Sequence, residues 1–325
     1  MQESLYPLKF YPILKEKIWG GEKLSEIYNL KNAENIGESW VLSGYAGEES
    51  VVLNGNLRGK NIRQLIDTYR DTLLGKSIYE KFGRNFPLLF KLIDAGDKLS
   101  IQVHPDDLTA WNRHASFGKT EMWYIIDAEE DSELILGFAN EIKPEKYSAA
   151  LANGTLETLL QHVKVCAGDV FFIPAGTIHA IGKGILLAEI QQSSDITYRV
   201  YDYQRKDANG RERELHKEQA IDVINYKNAQ NFKIEYQNKR NEFVSLVNCN
   251  YFNTSFMEFS NTQFLDYEEI ENFAVLLCTE GRFELKTSDF SISVLKGEAV
   301  LLPASTKVVQ LIPAQLSRVL ETFIV

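Results

Sequence analysis

The chain has 325 residues, of which 44% are hydrophobic and 25% charged, a composition typical of a globular protein with a sizeable core. Its formal net charge of −10 argues against a nucleic acid or an anionic membrane as partner. An anionic small molecule would need a local cluster of Lys and Arg. The three cysteines, Cys166, Cys249 and Cys278, are too widely spaced for a disulfide framework or a zinc ribbon, so we expect buried, reduced thiols.

Taken in chain order, most predicted elements are strands. The first residues, MQESLYPLKF, carry no basic-then-apolar leader, and no apolar run reaches membrane-spanning length, so we expect a cytoplasmic protein. Short β-branched and aromatic runs follow, divided by Gly, Asp, Asn and Pro, as in a sandwich or barrel. The clearest runs are LLFKLIDA, EMWYIIDA, SELILGF, GDVFFIPA and GILLAEIQ.

Helical patterns are fewer. NIRQLIDTYRDTLLG places apolar residues on one helical face and ends at a glycine; these residues are Ile62, Leu65, Ile66, Tyr69 and Leu73. KPEKYSAALANGTLETLLQH and ELHKEQAIDVIN are the other candidates, and they place His162 and His216 on solvated helices. Neither a P-loop nor a dinucleotide-binding glycine motif is present. The sequence predicts an all-β fold with inserted helices.

A weak internal repeat divides the chain. GDVFFIPAGTIHAI, from Gly168, and GEAVLLPASTKVVQ, from Gly297, share a glycine, an acidic residue, an apolar run and a proline at equal spacing. Repetition of one supersecondary unit predicts two related β-barrels. Val308 replaces His179 in the second copy, so we expect a functional domain over 1–235 and a metal-free domain over 236–325.

Four polar side chains are candidate metal ligands. The alternation in LSIQVHPDD predicts a half-buried strand with Gln102 and His104 on one face. Glu121 opens an apolar strand, and His179 closes one after a Pro-x-Gly turn that aims it inward. Imidazole and carboxylate suit Zn²⁺, Fe²⁺ or Mn²⁺, and an amide oxygen is a tolerable weak ligand. Singly, each residue is as readily a core histidine or a solvated strand end; together they favour a metal site.

These motifs resemble those of a known family. GDVFFIPAGTIHAI resembles the second conserved motif of the cupin superfamily. LSIQVHPDD, followed by GKTEMWY, GTIHAI and SSDITYRVYDY, resembles type I mannose-6-phosphate isomerases in their shorter bacterial form. The similarity runs from IWGG near Trp19 to the YDY ending at Tyr203, and more loosely beyond it.

The resemblance implies a fold of two cupin-like jelly rolls and one Zn²⁺ per chain, bound by Gln102, His104, Glu121 and His179. It also implies an active-site arginine at Arg199, with Lys119 and Ser100 binding the phosphate of a sugar phosphate. Longer family members carry Pro where Thr120 stands here, and most of their large helical domain is missing.

The implied reaction is the interconversion of mannose 6-phosphate and fructose 6-phosphate through an enediolate, which suits these residues. A zinc ion held by one carboxylate keeps a net positive charge and can polarise the sugar oxygens as a Lewis acid. Arg199 stays protonated and offers a planar donor fork for an oxyanion. The general base stays open between Lys119, a carboxylate near the metal and a zinc-bound water.

Two other functions stay open at this point. One is a different metal-dependent cupin enzyme, such as a dioxygenase or another sugar isomerase. The other is a sugar-phosphate sensor that keeps the fold without turnover, although the presence of Lys119 and Arg199 disfavours it. His114 and Arg113 are predicted in a surface loop. The tryptophans Trp19, Trp40, Trp111 and Trp123 are predicted in the core.

Overall fold

Strands dominate the computed structural model, which describes residues 4–31, 33–207, 209–227 and 231–324. The strands of its first half are β1 (Leu8–Lys9), β2 (Ile13–Gly21), β3 (Ile36–Ser43), β4 (Leu88–Ala95), β5 (Ile101–Val103), β6 (Glu121–Ala128), β7 (Glu133–Phe138), β8 (Leu160–Lys164), β9 (Val170–Ile173), β10 (His179–Ile181), β11 (Ile185–Gln192) and β12 (Tyr198–Tyr201). The remaining strands are β13 (Val244–Asn248), β14 (Asn253–Phe259), β15 (Gln263–Asp266), β16 (Ala274–Glu280), β17 (Arg282–Lys286), β18 (Ser291–Leu295), β19 (Ala299–Leu302), β20 (Val308–Pro313) and β21 (Ser317–Phe323). The prediction of a mostly β fold is confirmed.

The helices are short. They are α1 (Lys23–Ile27), α2 (Ile62–Tyr69), α3 (Asp71–Leu74), α4 (Lys76–Phe82), α5 (Asp107–His114), α6 (Pro144–Ala152), α7 (Lys217–Ile221) and a 3-10 turn at Leu156–Leu159. The apolar face predicted from Ile62 to Leu73 is buried. The predicted single helix is broken, however, because Arg70 adopts a φ of +48° and separates α2 from α3. None of the helices in the described ranges is both long and apolar enough to cross a membrane.

Four sheets contain the strands, and none of them closes on itself over the described residues. Their strand orders are β1-β19-β16-β21-β14-β13, β12-β5-β10-β7-β8, β2-β3-β4-β11-β6-β9 and β15-β20-β17-β18. The strands of the two copies of the internal repeat pair in the same way, whereas the two β-barrels predicted from the repeat stay a prediction. In the first copy β6 pairs with β9 and β10 with β7, and in the second β16 pairs with β19 and β17 with β20.

Backbone contacts divide the chain into two compact units. One comprises Met1–Leu14, Ser39–Leu92 and Glu235–Val325, and the other comprises Lys15–Glu38 and Ile93–Ile234. The first unit is built around an apolar cluster of strands β14, β16, β17, β19, β20 and β21. The second contains two clusters, described below. The division predicted from the sequence, 1–235 and 236–325, stays a prediction.

The second unit places apolar residues on both faces of the sheet β12-β5-β10-β7-β8. On one face, Ile101, Val103 and Ala180 pack with residues of α6 and α7. On the other face, Leu134 and Leu136 belong to a cluster shared with β6, β9 and β11. Because side chains alternate along a strand, Gln102, between Ile101 and Val103, and His179, next to Ala180, point towards this second cluster. The candidate site lies there.

Several local predictions are wrong. His162 lies on strand β8 and not on a helix, because the 3-10 turn ends at Leu159 and the chain then pairs with β7. His216 precedes α7, and His114 ends α5 where a loop was predicted. Cys166 is exposed in the turn before β9.

Of the four tryptophans, three are buried as predicted, whereas Trp111 on α5 is 66% exposed.

Candidate functional site

Three of the predicted site residues form a row across one sheet. In the antiparallel ladder, Gln102 on β5 lies directly opposite His179 on β10 and Arg199 on β12. Directly opposed residues of antiparallel strands project to the same face. His179 is also paired with Leu136, so this face is the one that contains the cluster of β6, β7, β9 and β11.

Both histidines are held with one ring nitrogen towards the centre of the site. Nδ1 of His179 lies 2.9 Å from the Thr177 carbonyl, and Nδ1 of His104 lies 2.8 Å from the Ile196 carbonyl. A carbonyl only accepts, so each Nδ1 is the protonated nitrogen and each Nε2 carries a lone pair. This is the arrangement by which proteins orient imidazole as a metal ligand.

The turn before β10 aims His179 into the site. Gly176 adopts a φ of +85°, and a Cβ there would approach the Val223 carbonyl oxygen to 2.9 Å. Its amide donates to the carbonyl of His104 over 2.8 Å, which ties the two histidine-bearing segments together. The predicted inward direction is confirmed, but His179 opens β10 instead of closing a strand.

Glu121 lies between the two histidines at the start of β6, as predicted. Its Oε1 is 3.5 Å from His179 Nε2, and its Oε2 is 3.7 Å from His104 Nε2. One ligand atom from each of the three residues lies within 4.8 Å of the others, and all three side chains are buried. Gln102 extends the group, because its Nε2 is 3.3 Å from His179 Nε2.

Burial favours the form of His179 that can bind a cation. It lowers the pKa of His179 to about 4, more than the nearby Thr177 carbonyl raises it. The imidazole is therefore neutral at physiological pH, as a metal ligand must be. Two imidazoles, one carboxylate and one amide fit a divalent cation with mixed nitrogen and oxygen ligands.

Lys119 reaches the same centre. It is 4% exposed, and its Nζ lies 3.1 Å from His104 Nε2 and 3.4 Å from Glu121 Oε2. The ammonium thus supplies positive charge beside the buried carboxylate. Ser100 is also buried, one residue before β5 and two before Gln102.

Arg199 is half-buried at the edge of the site. Its Nη1 donates to the Glu214 carbonyl over 2.9 Å. No partner for its buried Nε is found among the described residues. Burial lowers the pKa of Arg199, and the neighbouring Arg213 lowers it further. Its neighbours on β12, Tyr198 and Val200, are buried in the apolar cluster on the other face of the sheet.

Sequence reasoning missed the support behind His179. The Trp123 ring meets His179 edge-on at a centroid distance of 5.3 Å. Trp123 Nε1 donates to Glu189 Oε2 over 3.0 Å, from a strand position directly opposite. Glu189 lies in the run GILLAEIQ, where one acidic residue interrupts an apolar strand; that interruption is the signal that points to it.

His114, predicted at the surface, is exposed but not isolated. Its Nε2 lies 2.8 Å from the Tyr198 hydroxyl, and the adjacent Arg113 donates to Asp222 over 2.8 Å. These contacts tie the end of α5 to β12 and to the segment after α7.

Comparisons with known proteins identify a family. A family model described as phosphomannose isomerase type I, catalytic domain, matches residues 8–140. A second, described as mannose-6-phosphate isomerase, cupin domain, matches residues 242–313. Gln102, His104, Lys119 and Glu121 lie within the first match.

Relatives extend the similarity across the chain. A mannose-6-phosphate isomerase of Bacillus subtilis is 37% identical over 300 residues, covering 91% of this chain and 93% of that protein. One from Streptococcus mutans is 37% identical over 303 residues, covering 93% of each. These spans extend well beyond the first family-model match.

Solved structures give the same result. The mannose 6-phosphate isomerase of Bacillus subtilis superposes with a TM-score of 0.88 at 33% identity, over 98% of this chain and 99% of that one. A putative mannosephosphate isomerase from Archaeoglobus fulgidus shares the fold, with a TM-score of 0.81 at 24% identity over 99% of both chains.

Proposed function

Because the chain belongs to the type I mannose-6-phosphate isomerase family, we propose that it interconverts mannose 6-phosphate and fructose 6-phosphate in a zinc-dependent reaction through an enediolate. The observation that carries this proposal is the buried group of His104, Glu121 and His179, with the Gln102 amide beside it. The isomerisation moves a proton between C1 and C2, so negative charge develops on the two adjacent sugar oxygens.

Gln102, His104, Glu121 and His179 would hold the metal, one ion per chain. Zinc suits this set because it accepts imidazole and carboxylate ligands and is often held by few protein groups with one position left open. When bound, the ion supplies Lewis-acid polarisation of the sugar oxygens. A neutral amide at Gln102 preserves more of that positive charge than a second carboxylate would.

Arg199 is proposed to bind the sugar oxygens as they become anionic. Its buried Nε belongs to a residue of β12 that is paired with Gln102 on β5. The arginine side chain stays protonated at neutral pH. Such a donor, fixed before the reaction, stabilises charge with little reorganisation. The contact from Nη1 to the Glu214 carbonyl holds the guanidinium in place.

Lys119 and Ser100 complete the proposed substrate site. The Lys119 ammonium, 3.4 Å from Glu121 Oε2, lies where it can bind an anionic oxygen of the substrate next to the metal ligands. Its charge offsets the net negative charge of the protein locally. Ser100, buried before β5, is proposed as a hydroxyl donor to the phosphate.

The proposed domain arrangement follows the repeat. Residues 1–235 form the catalytic cupin-like jelly roll with its helical insertions, and residues 236–325 form a second jelly roll without a metal. The matched pairing of β6, β7, β9 and β10 with β16, β17, β19 and β20 supports this reading. Val308 opens β20 as His179 opens β10, but Val308 is 50% exposed.

A coupled assay tests the proposal. Purified protein is given mannose 6-phosphate, and fructose 6-phosphate is detected; glucose 6-phosphate serves as the control substrate. We expect turnover that chelation abolishes and zinc restores. Full activity in a verified metal-free preparation would contradict the zinc dependence, and absence of turnover with metal bound would contradict the reaction.

A further inference from the structure

Three consecutive backbone amides around Lys119 each have a defined acceptor. The amide of Gly118 donates to Asp107 Oδ1 over 2.9 Å. The amide of Lys119 donates to the Pro105 carbonyl over 3.1 Å. The amide of Thr120 donates to Gln192 Oε1 over 2.9 Å. The segment that carries Lys119 into the site, directly before β6, is therefore held at every residue.

Two of the residues that provide these acceptors, Asp107 and Gln192, are hydrogen-bonded to each other. Gln192 Nε2 donates to Asp107 Oδ1 over 2.8 Å, so one carboxylate oxygen receives both Gly118 and Gln192. The backbone amide of Gln192 donates in turn to the Thr120 carbonyl over 3.2 Å. Asp107 opens α5 and Gln192 ends β11, so the pair joins three separate segments.

The fit between these segments is close. A Cβ at Gly118 would lie 2.6 Å from the Asp107 amide nitrogen and 2.7 Å from the carbonyl carbon of Asp106. Gln192 is only 6% exposed, so its amide is committed to these bonds. Asp107 is exposed at the start of α5, but its Oδ1 accepts from both the Gly118 amide and Gln192 Nε2. A connected set of hydrogen bonds of this kind favours one arrangement of the chain around it.

We propose that Asp107 and Gln192 are positioning residues for the reaction, acting through Lys119. This proposal rests on the proposed function, since it concerns the same site. The pair fixes the backbone on both sides of Lys119, so that its ammonium reaches His104 Nε2 and Glu121 Oε2 together. Neither Asp107 nor Gln192 belongs to the proposed ligand or substrate groups.

Side-chain truncation tests the pair. We expect Asp107→Ala and Gln192→Ala each to lower kcat/KM by about 10- to 100-fold, as loss of a residue that orients the site typically does. Asp107→Asn keeps an oxygen for both donors and is expected to stay within about threefold of wild type. Asp106→Ala is the matched control, because Asp106 only caps α5 by accepting from the Thr109 amide over 2.8 Å.

A double-mutant cycle with Lys119→Ala shows whether the effect passes through Lys119. We expect Asp107→Ala to cause no further loss of kcat/KM once Lys119 is absent. An equal fold-loss in both backgrounds would overturn the proposal. So would a loss in Asp106→Ala as large as that in Asp107→Ala, because the cause would then be fraying of α5.

Hydrogen exchange of the metal-free protein gives a readout that needs no activity. We expect Asp107→Ala to speed amide exchange at Gly118–Thr120 by about tenfold or more, while Asp106→Ala leaves it unchanged. Unchanged exchange in Asp107→Ala would overturn the positioning role even if the enzyme is active. Conversely, an inactive wild type with the expected exchange pattern would overturn the proposed function alone.

Discussion

The Nε2 atoms of Gln102 and His179 lie 3.3 Å apart on directly paired residues of β5 and β10. His179 Nε2 carries a lone pair, because Nδ1 donates to the Thr177 carbonyl, so the Gln102 amide acts as the donor between them. A half-turn of that amide about its last bond would bring its oxygen to the same position. If Gln102 is a ligand, as proposed, one side chain would serve the metal-free site as a donor and the metal-bound site as a ligand.

Replacing Gln102 by Glu tests the value of a neutral ligand. A second carboxylate would bind a divalent cation at least as tightly, but it would cancel the positive charge that polarises the sugar oxygens. We expect Gln102→Glu to retain the metal and to lower kcat by about tenfold or more, the scale of losing electrostatic stabilisation at an oxyanion. Metal analysis of the purified variant and steady-state kinetics check both parts. Wild-type kcat would contradict the charge argument.

Removal of an imidazole ligand should remove the metal. We expect about one metal ion per chain in the wild type, by the usual rule for such sites. We expect His179→Ala to have almost none and no measurable turnover. Val308→Ala is the control, because Val308 holds the equivalent place in the second copy of the repeat and should keep both metal and activity.

Elemental analysis measures the metal content of the wild type and of both variants, and anomalous diffraction at the zinc edge locates the metal. A metal retained by His179→Ala, or an ordered metal within residues 240–325, would contradict the assignment of a single site.

Arg199 is expected to act on the transition state and not on metal binding. Its guanidinium presents a fork that lysine cannot reproduce. Arg199→Lys should therefore lower kcat by about 10²-fold, the usual effect of losing one oxyanion donor, while bound metal and Tm stay near wild type. Arg113→Lys is the control, since Arg113 forms an exposed pair with Asp222 and such pairs contribute about 0–1 kcal/mol.

Kinetics and metal content measured on the same preparations decide between the two roles. Near-normal kcat in Arg199→Lys would show a structural arginine, and loss of metal would show that the guanidinium supports the ligands instead.

The convergence of the proposed ligand residues could be predicted because local patterns place them. Strand alternation puts Gln102 on one face, Glu121 starts an apolar run, and the glycine turn at Gly176 precedes His179. Each signal lies within a few residues of the side chain that it positions. The structure brings these separate predictions together at one buried centre.

Contacts that depend on register between distant segments could not be predicted. Glu189 supports Trp123 only because β11 and β6 pair at these two residues. The bond between Asp107 and Gln192 joins residues 85 positions apart. The predicted helix breaks at Arg70, where the sequence has neither glycine nor proline, so the sequence pattern gives no sign of the break.

Isotope exchange tests the proposed proton route. An enediolate exposes the migrating proton to solvent, whereas a direct hydride shift between C1 and C2 retains it. We expect isomerisation in D₂O to place deuterium at C1 or C2 of the recovered sugar phosphate. Mass spectrometry of substrate and product at partial conversion measures this. Complete retention of the original hydrogen over many turnovers would favour the hydride shift and remove the need for a general base.

The buried pair of Glu321 and Tyr267, in the unit that does not contain the candidate site, predicts a pH dependence of stability. The Tyr267 hydroxyl donates to Glu321 Oε1 over 2.6 Å. Burial raises the pKa of Glu321 above its usual value of 4.5, despite that hydrogen bond. The folded protein therefore binds more protons than the unfolded chain above this pH, so stability falls as the pH rises from about 4.5 towards the raised pKa.

Glu321→Gln removes this titration. Each unit of raised pKa corresponds to about 1.4 kcal/mol, so we expect the variant to equal or exceed the wild type in free energy of unfolding at pH 7. Its dependence on pH above 4.5 should be flatter. Urea unfolding across pH 4.5 to 8 measures both.

Glu258 provides a control of opposite sign. Burial, the largest single influence, raises the pKa of Glu258. The hydrogen bond from Arg318 over 2.9 Å, together with the charges of Arg318 and Arg240 and a hydrogen bond from Asn238, outweighs burial, so the pKa is lowered overall. The stability that this carboxylate contributes is therefore present above the unfolded pKa of about 4.5 and is lost as the pH falls through the folded value. Glu258→Gln should be less stable than wild type at pH 7, whereas Glu321→Gln should not. Equal destabilisation of both variants would show that burial does not set the ionisation of Glu321.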